Sequence, residues 1–155
     1  MLTGFAGLLK RENLIVSALT GAFVFLLYFT RPALDTTVDY VLFYKANFDF
    51  LRESLRHWQL PLWNPYIGLG RPFLADTQNA VFYPPTYLAL LRAPFGLFLF
   101  TWFHSLVGVL GMRALGRSLG FSKSASYLAA FSFVAMAPIT ARWFTGQLLY
   151  AGAIC

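Results

Sequence analysis

The chain has 155 residues, of which 58% are hydrophobic, 19% aromatic and only 12% charged, with a formal net charge of +6. A soluble domain carries roughly a quarter charged residues, so a water-soluble fold of this length could not hide so much apolar side chain, and a membrane solvent is expected. The basic residues are scattered rather than gathered in a stripe, which argues against nucleic acid. The single cysteine, Cys155, excludes a disulfide framework and a cysteine-based metal site within the chain, and His57 and His104 stand too far apart to give metal-ligand spacing.

Residues 1–13 are short and amphiphilic, with Lys10, Arg11 and Glu12 ahead of an uncharged run from Leu14 to Thr30. At about 1.5 Å per residue, such a run nearly crosses a hydrocarbon core of about 30 Å. A cleaved signal peptide is the alternative. No small-residue cleavage site follows, however, because the run ends in Tyr28, Phe29 and Arg31-Pro32, so a signal-anchor is expected. A second uncharged run covers 93–112, with Pro94 at its start, where a helix tolerates proline. A third covers 124–141, with Pro138 near its end. Between them Gly120 suits a helix C-terminus and Ser122 an N-cap, so the two runs are expected to form a tight helical hairpin. Gly116 with Gly120, and Ala125 with Ala129, are small-residue spacings that allow close backbone approach, though an Ala/Gly-rich sequence also produces them by chance. The expected fold is an all-α membrane protein, a single membrane domain of three transmembrane helices with a long external first loop.

Charge sets the expected topology. Lys10, Arg11, Arg113, Arg117 and Lys123 gather at one end, opposed only by Glu12. The positive-inside rule places that end, and the N-terminus, in the cytoplasm. The loop 31–92 is then external and holds Asp35, Asp39, Asp49, Glu53 and Asp76. Within it, Val41, Tyr44, Phe48, Leu51, Leu55 and Trp58 recur at steps of three and four from Asp39 to Trp58, with charged residues on the other side. This two-faced helix is too charged to span and is expected to lie along the outer membrane surface; packing on a soluble external domain is the alternative. Asp49 with Arg52, and Glu53 with Arg56, are spaced as surface ion pairs.

Gln59 to Pro85 follows. It contains Pro61, Pro65, Pro72, Pro84 and Pro85, together with Gly68, Gly70 and the aromatics Trp63, Tyr66, Phe73, Phe82 and Tyr83. Proline fixes φ and removes an N–H, so the segment cannot be one regular helix or strand. It is also too aromatic for a solvated linker. An ordered loop is expected, packed on something apolar, with Trp58, Trp63, Tyr66, Phe82 and Tyr83 as an interfacial aromatic belt. Its sparse polar residues, Asn64, Arg71, Asp76, Gln78 and Asn79, sit between rigid turns, as a pre-organised binding loop requires. His104 falls inside the second run, where an ionisable side chain is either functional or a neutral packing group. The last residues, from Trp143, are expected to begin a second external element, and the chain is expected to be a piece of a longer protein.

These residues resemble a known family. Asp39, Phe43-Tyr44, Phe50-Leu51-Arg52-Glu53-Ser54-Leu55, Leu60-Pro61-Leu62-Trp63-Asn64-Pro65, Gly70-x-Pro72, Ala75 and Phe82-Tyr83-Pro84 are similar to the amino-terminal part of the bacterial YfhO-type membrane proteins. His104, Gly111 and Leu119-Gly120 extend the likeness, which covers roughly 39–147. The family in turn resembles the GT-C class of multi-spanning glycosyltransferases. The resemblance implies transfer of a sugar from a polyprenyl-phosphate carrier to a cell-surface polymer, on the outer face of the plasma membrane. It also implies that these 155 residues alone are inactive, since later helices close such a site.

Transfer to a sugar hydroxyl needs a general base, and the departing lipid phosphate needs stabilisation by cations or a divalent metal. By resemblance Asp39 is the base, with Asp35 in reserve; the alternative for Asp39 is a helix-dipole carboxylate. Arg71 suits a bidentate contact to lipid phosphate, the alternative being an arginine that snorkels to the interface. Trp63, Asn64, Gln78 and Tyr83 are candidates for substrate contact or for shaping the loop. A carrier-binding or transport protein without chemistry, or a structural membrane subunit, would use the same loop.

Overall fold

The computed structural model describes residues 11–29, 40–91 and 95–136. The chain is mostly helical. Helix α1 runs Arg11–Phe29, a π-helical segment Tyr40–Lys45 leads into α2 at Ala46–Arg56, and a short helix α3 covers Thr86–Ala89. The long α4, Phe95–Ser118, and α5, Lys123–Ala135, complete it. Among the described residues one helix, α4, is long and apolar enough to cross a membrane.

The hairpin of α4 and α5 forms as its turn chemistry predicts, but with different bounds. Helix α4 runs six residues beyond the expected end at Met112, because its arginines find partners. Arg113 donates to Asn13 Oδ1 at 2.7 Å and Arg117 to the Phe121 carbonyl at 2.7 Å. Gly120, at φ +82°, then ends it. The Phe121 N–H bonds the Gly116 carbonyl and the Gly120 N–H that of Arg117, a Schellman arrangement that satisfies carbonyls the helix would leave orphaned. Ser122 caps α5 by accepting from the Ala125 N–H. Helix α5 closes at Ala135, three residues before Pro138, whose ring and missing N–H oppose continuation. Its 13 residues rise only about 20 Å. The remainder of the expected third run, from Ala137, lies outside the described residues.

Of the small residues singled out, Gly116 makes the close approach in this hairpin, with a partner that the spacings did not name. Gly120 faces open space, and Ala125 is exposed. It is Gly116 that meets Ser126: a Cβ there would stand 3.1 Å from Ser126 Oγ and 3.3 Å from its Cα. Ser126, Ala130 and Val134 form the buried face of α5, and Val109, Ala130 and Val134 pack with Val16 of α1. A second cluster joins Val24 of α1 to Tyr44, Phe48, Ala89, Leu97 and Phe100, so α1 to α4 share one core. Buried hydroxyls bond the carbonyl four residues back, as Thr20 does to Val16 and Thr101 to Leu97, and so carry no unpaired polar cost.

Of the expected basic end, Arg113 and Lys123 meet at Glu12, while Lys10 lies outside the described residues. Glu12 pairs with Lys123 and stands 3.7 Å from Arg113, while Tyr127 donates to its second oxygen at 3.4 Å. One carboxylate therefore ties the start of α1 to the end of α4 and the start of α5.

The two-faced helix is present, with Tyr44, Phe48 and Leu51 buried. Its apolar stripe is shorter than the periodicity suggests. The helix stops at Arg56, and Trp58 takes the left-handed conformation at φ 54° and is 97% exposed, while Leu55 is also exposed. Asn47 and Ser54 take buried places on the inner face instead. The expected ion pairs form, Asp49–Arg52 at 2.6 Å and Glu53–Arg56 at 3.5 Å.

Residues 59–91 form an ordered, non-repetitive layer, as the prolines require. Two short antiparallel strands, β1 at Trp63–Asn64 and β2 at Arg71–Pro72, pair Trp63 with Pro72 and Asn64 with Arg71. A 3₁₀ turn, Thr77–Asn79, follows. Phe73 and Val81 pack on Leu51, seating the layer on α2. Polar side chains close backbone groups the loop cannot pair: Asn79 donates to the Phe73 carbonyl, Thr86 to that of Ala80 and Tyr87 to that of Val81.

Candidate functional site

The site grows from the seat of this layer on α2. β-pairing with Asn64 places Arg71 against the first turns of the helix. Its guanidinium lies over the Phe43 ring, 5.0 Å from the centroid, a cation–π arrangement. Arg71 Nη2 donates to Asn47 Oδ1 at 3.2 Å, and Nη1 stands 3.6 Å from the Asp76 carboxylate. A guanidinium can only donate, so the amide oxygen of Asn47 must face it, and Nδ2 is the free end. Asn47 is only 3% exposed, and both its Nδ2 and Arg71 Nε lack any hydrogen-bond partner. An unpaired buried polar group costs about 1–3 kcal/mol, so this cluster is held at an energetic disadvantage. Its unused capacity consists of donors.

Asp76 is already committed. Its Oδ1 accepts from the Gln78 N–H at 2.9 Å, capping the 3₁₀ turn. Its distance to Arg71 exceeds ordinary hydrogen-bond length, so it is a loose counter-ion for the guanidinium.

The other predicted site residues divide. Asn64 is 1% exposed and accepts from the Tyr66 N–H at 2.9 Å, so it shapes the turn after β1. Trp63 is half-exposed and covers Gly70, where a Cβ would fall 2.5 Å from Trp63 Nε1. Gln78 is exposed on the 3₁₀ turn. Tyr83 reaches α4, where its hydroxyl lies 2.7 Å from His104 Nε2. His104 Nδ1 lies 2.7 Å from the Phe100 carbonyl, which can only accept, so that nitrogen carries the proton. In the neutral ring Nε2 is then the acceptor and Tyr83 the donor. Burial pushes the Tyr83 hydroxyl above its ordinary value of 10.0. Asp39 and Asp35, the expected bases, lie outside the described residues.

The outer face of α2 borders a second feature, an open groove of about 600 Å³ lined by Asp49, Glu53, His57, Asn64 and Tyr66. Glu53 and His57, one helical turn apart on its wall, lie within hydrogen-bond distance at 2.9 Å. Among the described residues no three His, Cys, Asp or Glu side chains are placed to share a metal ion.

Sequence reasoning missed Asn47. The signal was available: it is a lone amide on the apolar face, three residues after Tyr44 and four before Leu51. Trp58, Leu60, Trp63, Tyr66, Leu69 and Phe82 are exposed, giving the layer an apolar, aromatic outer surface. No family model, no curated protein and no solved structure matches the chain.

Proposed function

We propose that the chain is the amino-terminal part of a membrane glycosyltransferase that takes a sugar from a polyprenyl-phosphate carrier on the outer face of the membrane and passes it to a surface polymer. The observation that carries this reading is the cationic, donor-rich Arg71–Asn47 cluster in a rigid layer with an apolar, aromatic outer surface. Such a surface suits the membrane interface, where exposed tryptophan and tyrosine are favoured. A carrier lipid brings its phosphate to that depth, where guanidinium contacts to phosphate are strong. The long apolar α4 beside the layer supports a membrane setting. In this reading the uncharged runs 14–30 and 124–141 are two further spans.

In this reading Asp39 takes the proton from the acceptor hydroxyl. It stands immediately before the π-helical segment in sequence, four positions ahead of Phe43, whose ring lies under Arg71. The acceptor oxygen bonds the anomeric carbon as the carrier phosphate departs with the bonding pair. The test is Asp39→Asn in the full-length protein, with sugar transfer to the surface polymer as the readout. Transfer is expected to fall by about two to four orders of magnitude, the usual worth of a general base. Undiminished transfer at normal expression removes Asp39 from the mechanism.

Carrier binding without chemistry is the second reading, and the same donor pair supports it, since binding a phosphate needs no base. Retained function after simultaneous loss of Asp35 and Asp39 favours it.

A further inference from the structure

We infer that Asn47 and Arg71 form a phosphate-oxyanion site for which Asp76 is a built-in competitor. The first observation is the pair of orphaned donors. Arg71 Nε and the buried Asn47 Nδ2 have no partners, and the Asn47 oxygen is already spent on Arg71. The second is the state of Asp76. Its carboxylate stands 3.6 Å from Nη1, too far for a hydrogen bond, while its other oxygen holds the Gln78 N–H. Asp76 therefore balances the charge of Arg71 and leaves its hydrogen-bonding demand unmet.

A ligand that completes the cluster must accept several hydrogen bonds from different directions and carry negative charge. A phosphate has the oxygens to meet the two orphaned donors, Arg71 Nε and the Asn47 amide, while Nη1, on the opposite side from Nε, keeps Asp76 as its neighbour. The Arg71 and Asp76 side chains are 29% and 24% exposed, whereas Arg71 Nε and Asn47 Nδ2 are buried, so a ligand reaches the donors past the part-exposed guanidinium. Binding there sets a second negative charge on the guanidinium that Asp76 already balances, so the two anions compete by charge, and the Asp76 cap on the 3₁₀ turn stays in place. The phosphate can be free or carried on a lipid. The choice of a lipid-borne phosphate rests on the proposed function, whereas the site and its competitor do not.

The test uses the full-length protein in phosphatidylcholine nanodiscs, titrated in one arm with inorganic phosphate. In the other arm, nanodiscs containing a polyprenyl monophosphate are compared with nanodiscs lacking it. Asp76→Asn retains the oxygen that caps the turn and removes the competing charge, and is expected to tighten phosphate binding about tenfold. Asp76→Ser, which also caps, provides the same reading if the asparagine variant folds poorly. Asn47→Asp installs a carboxylate against Arg71 and is expected to weaken binding at least about tenfold, as is Arg71→Gln. These opposite signs distinguish a binding cluster from one that only supports the loop, whose variants would shift stability and leave affinity alone. Binding in both arms identifies a general phosphate site, and binding in the lipid arm alone identifies a carrier site. No binding by the asparagine and serine variants in either arm overturns the inference, as does affinity unchanged by Asn47→Asp and Arg71→Gln. No step of the assay reads sugar transfer, so failure of the Asp39→Asn test leaves this result standing, and the reverse also holds.

Discussion

Gly70 shows how little freedom single positions have in the layer on α2. It closes the turn between β1 and β2 at φ +92°, with the Trp63 ring against its α-carbon. Gly70→Ala is expected to lower stability by about 1–3 kcal/mol, from the left-handed conformation and the displaced ring together, measurable as a reduced Tm in detergent. Tyr83 and His104 were each legible in the sequence as polar groups in apolar surroundings, but nothing in a separation of 21 residues announced that they meet. Tyr83→Phe removes the donor to a buried ring nitrogen and is expected to cost about 1–3 kcal/mol. It also carries a pH signature. Burial raises the Tyr83 pKa above 10.0, so its contribution is complete below that value and is lost as pH rises through the raised pKa, when the phenolate can no longer donate. A pH series of thermal melts should show this alkaline limb in the parent and a smaller one in the phenylalanine variant; equal limbs would assign the loss to other groups.

Among the helices, the hairpin of α4 and α5 was the most legible element, because its cap residues, Gly120 and Ser122, act locally. The face that α5 buries was not legible, since Ser126–Ala130–Val134 and Ala125–Ala129 both offer small side chains, and only contact with Gly116 selects one. The two-faced helix α2 was legible in its middle and not at its end, where the left-handed Trp58 breaks the period. The electrostatic tie between helices yields a prediction. The hydrogen bond and charge of Lys123, then the charge of Arg113, hold the Glu12 carboxyl below its ordinary value of 4.5. A depressed carboxylate pKa stabilises the fold above the unfolded value, and that contribution is lost as pH falls through the folded one. Unfolding monitored below about pH 4.5 should therefore show an acid-sensitive step that Glu12→Gln diminishes. An unchanged acid profile in Glu12→Gln would mean that the network does not hold the three helices together.

At the scale of the whole molecule, the proposed topology places the layer on α2 and the α4–α5 turn on opposite sides of a membrane. Reporter fusions at Arg56 and Lys123 in the full-length protein are expected to register outside and inside respectively. The same side for both would remove the outer-face reading and the carrier chemistry built on it. What the sequence by itself determined was class and segmentation: apolar helices, a short-capped hairpin and a proline-broken aromatic layer. Each follows from composition or from residues a few positions apart, where sterics and local hydrogen bonds decide. Only the tertiary structure brought Arg71 of β2 to Asn47 of α2, 24 residues away, and left two buried donors unpaired between them. Such a deficit is a property of packing in three dimensions, since every polar group looks equally satisfiable along an extended chain.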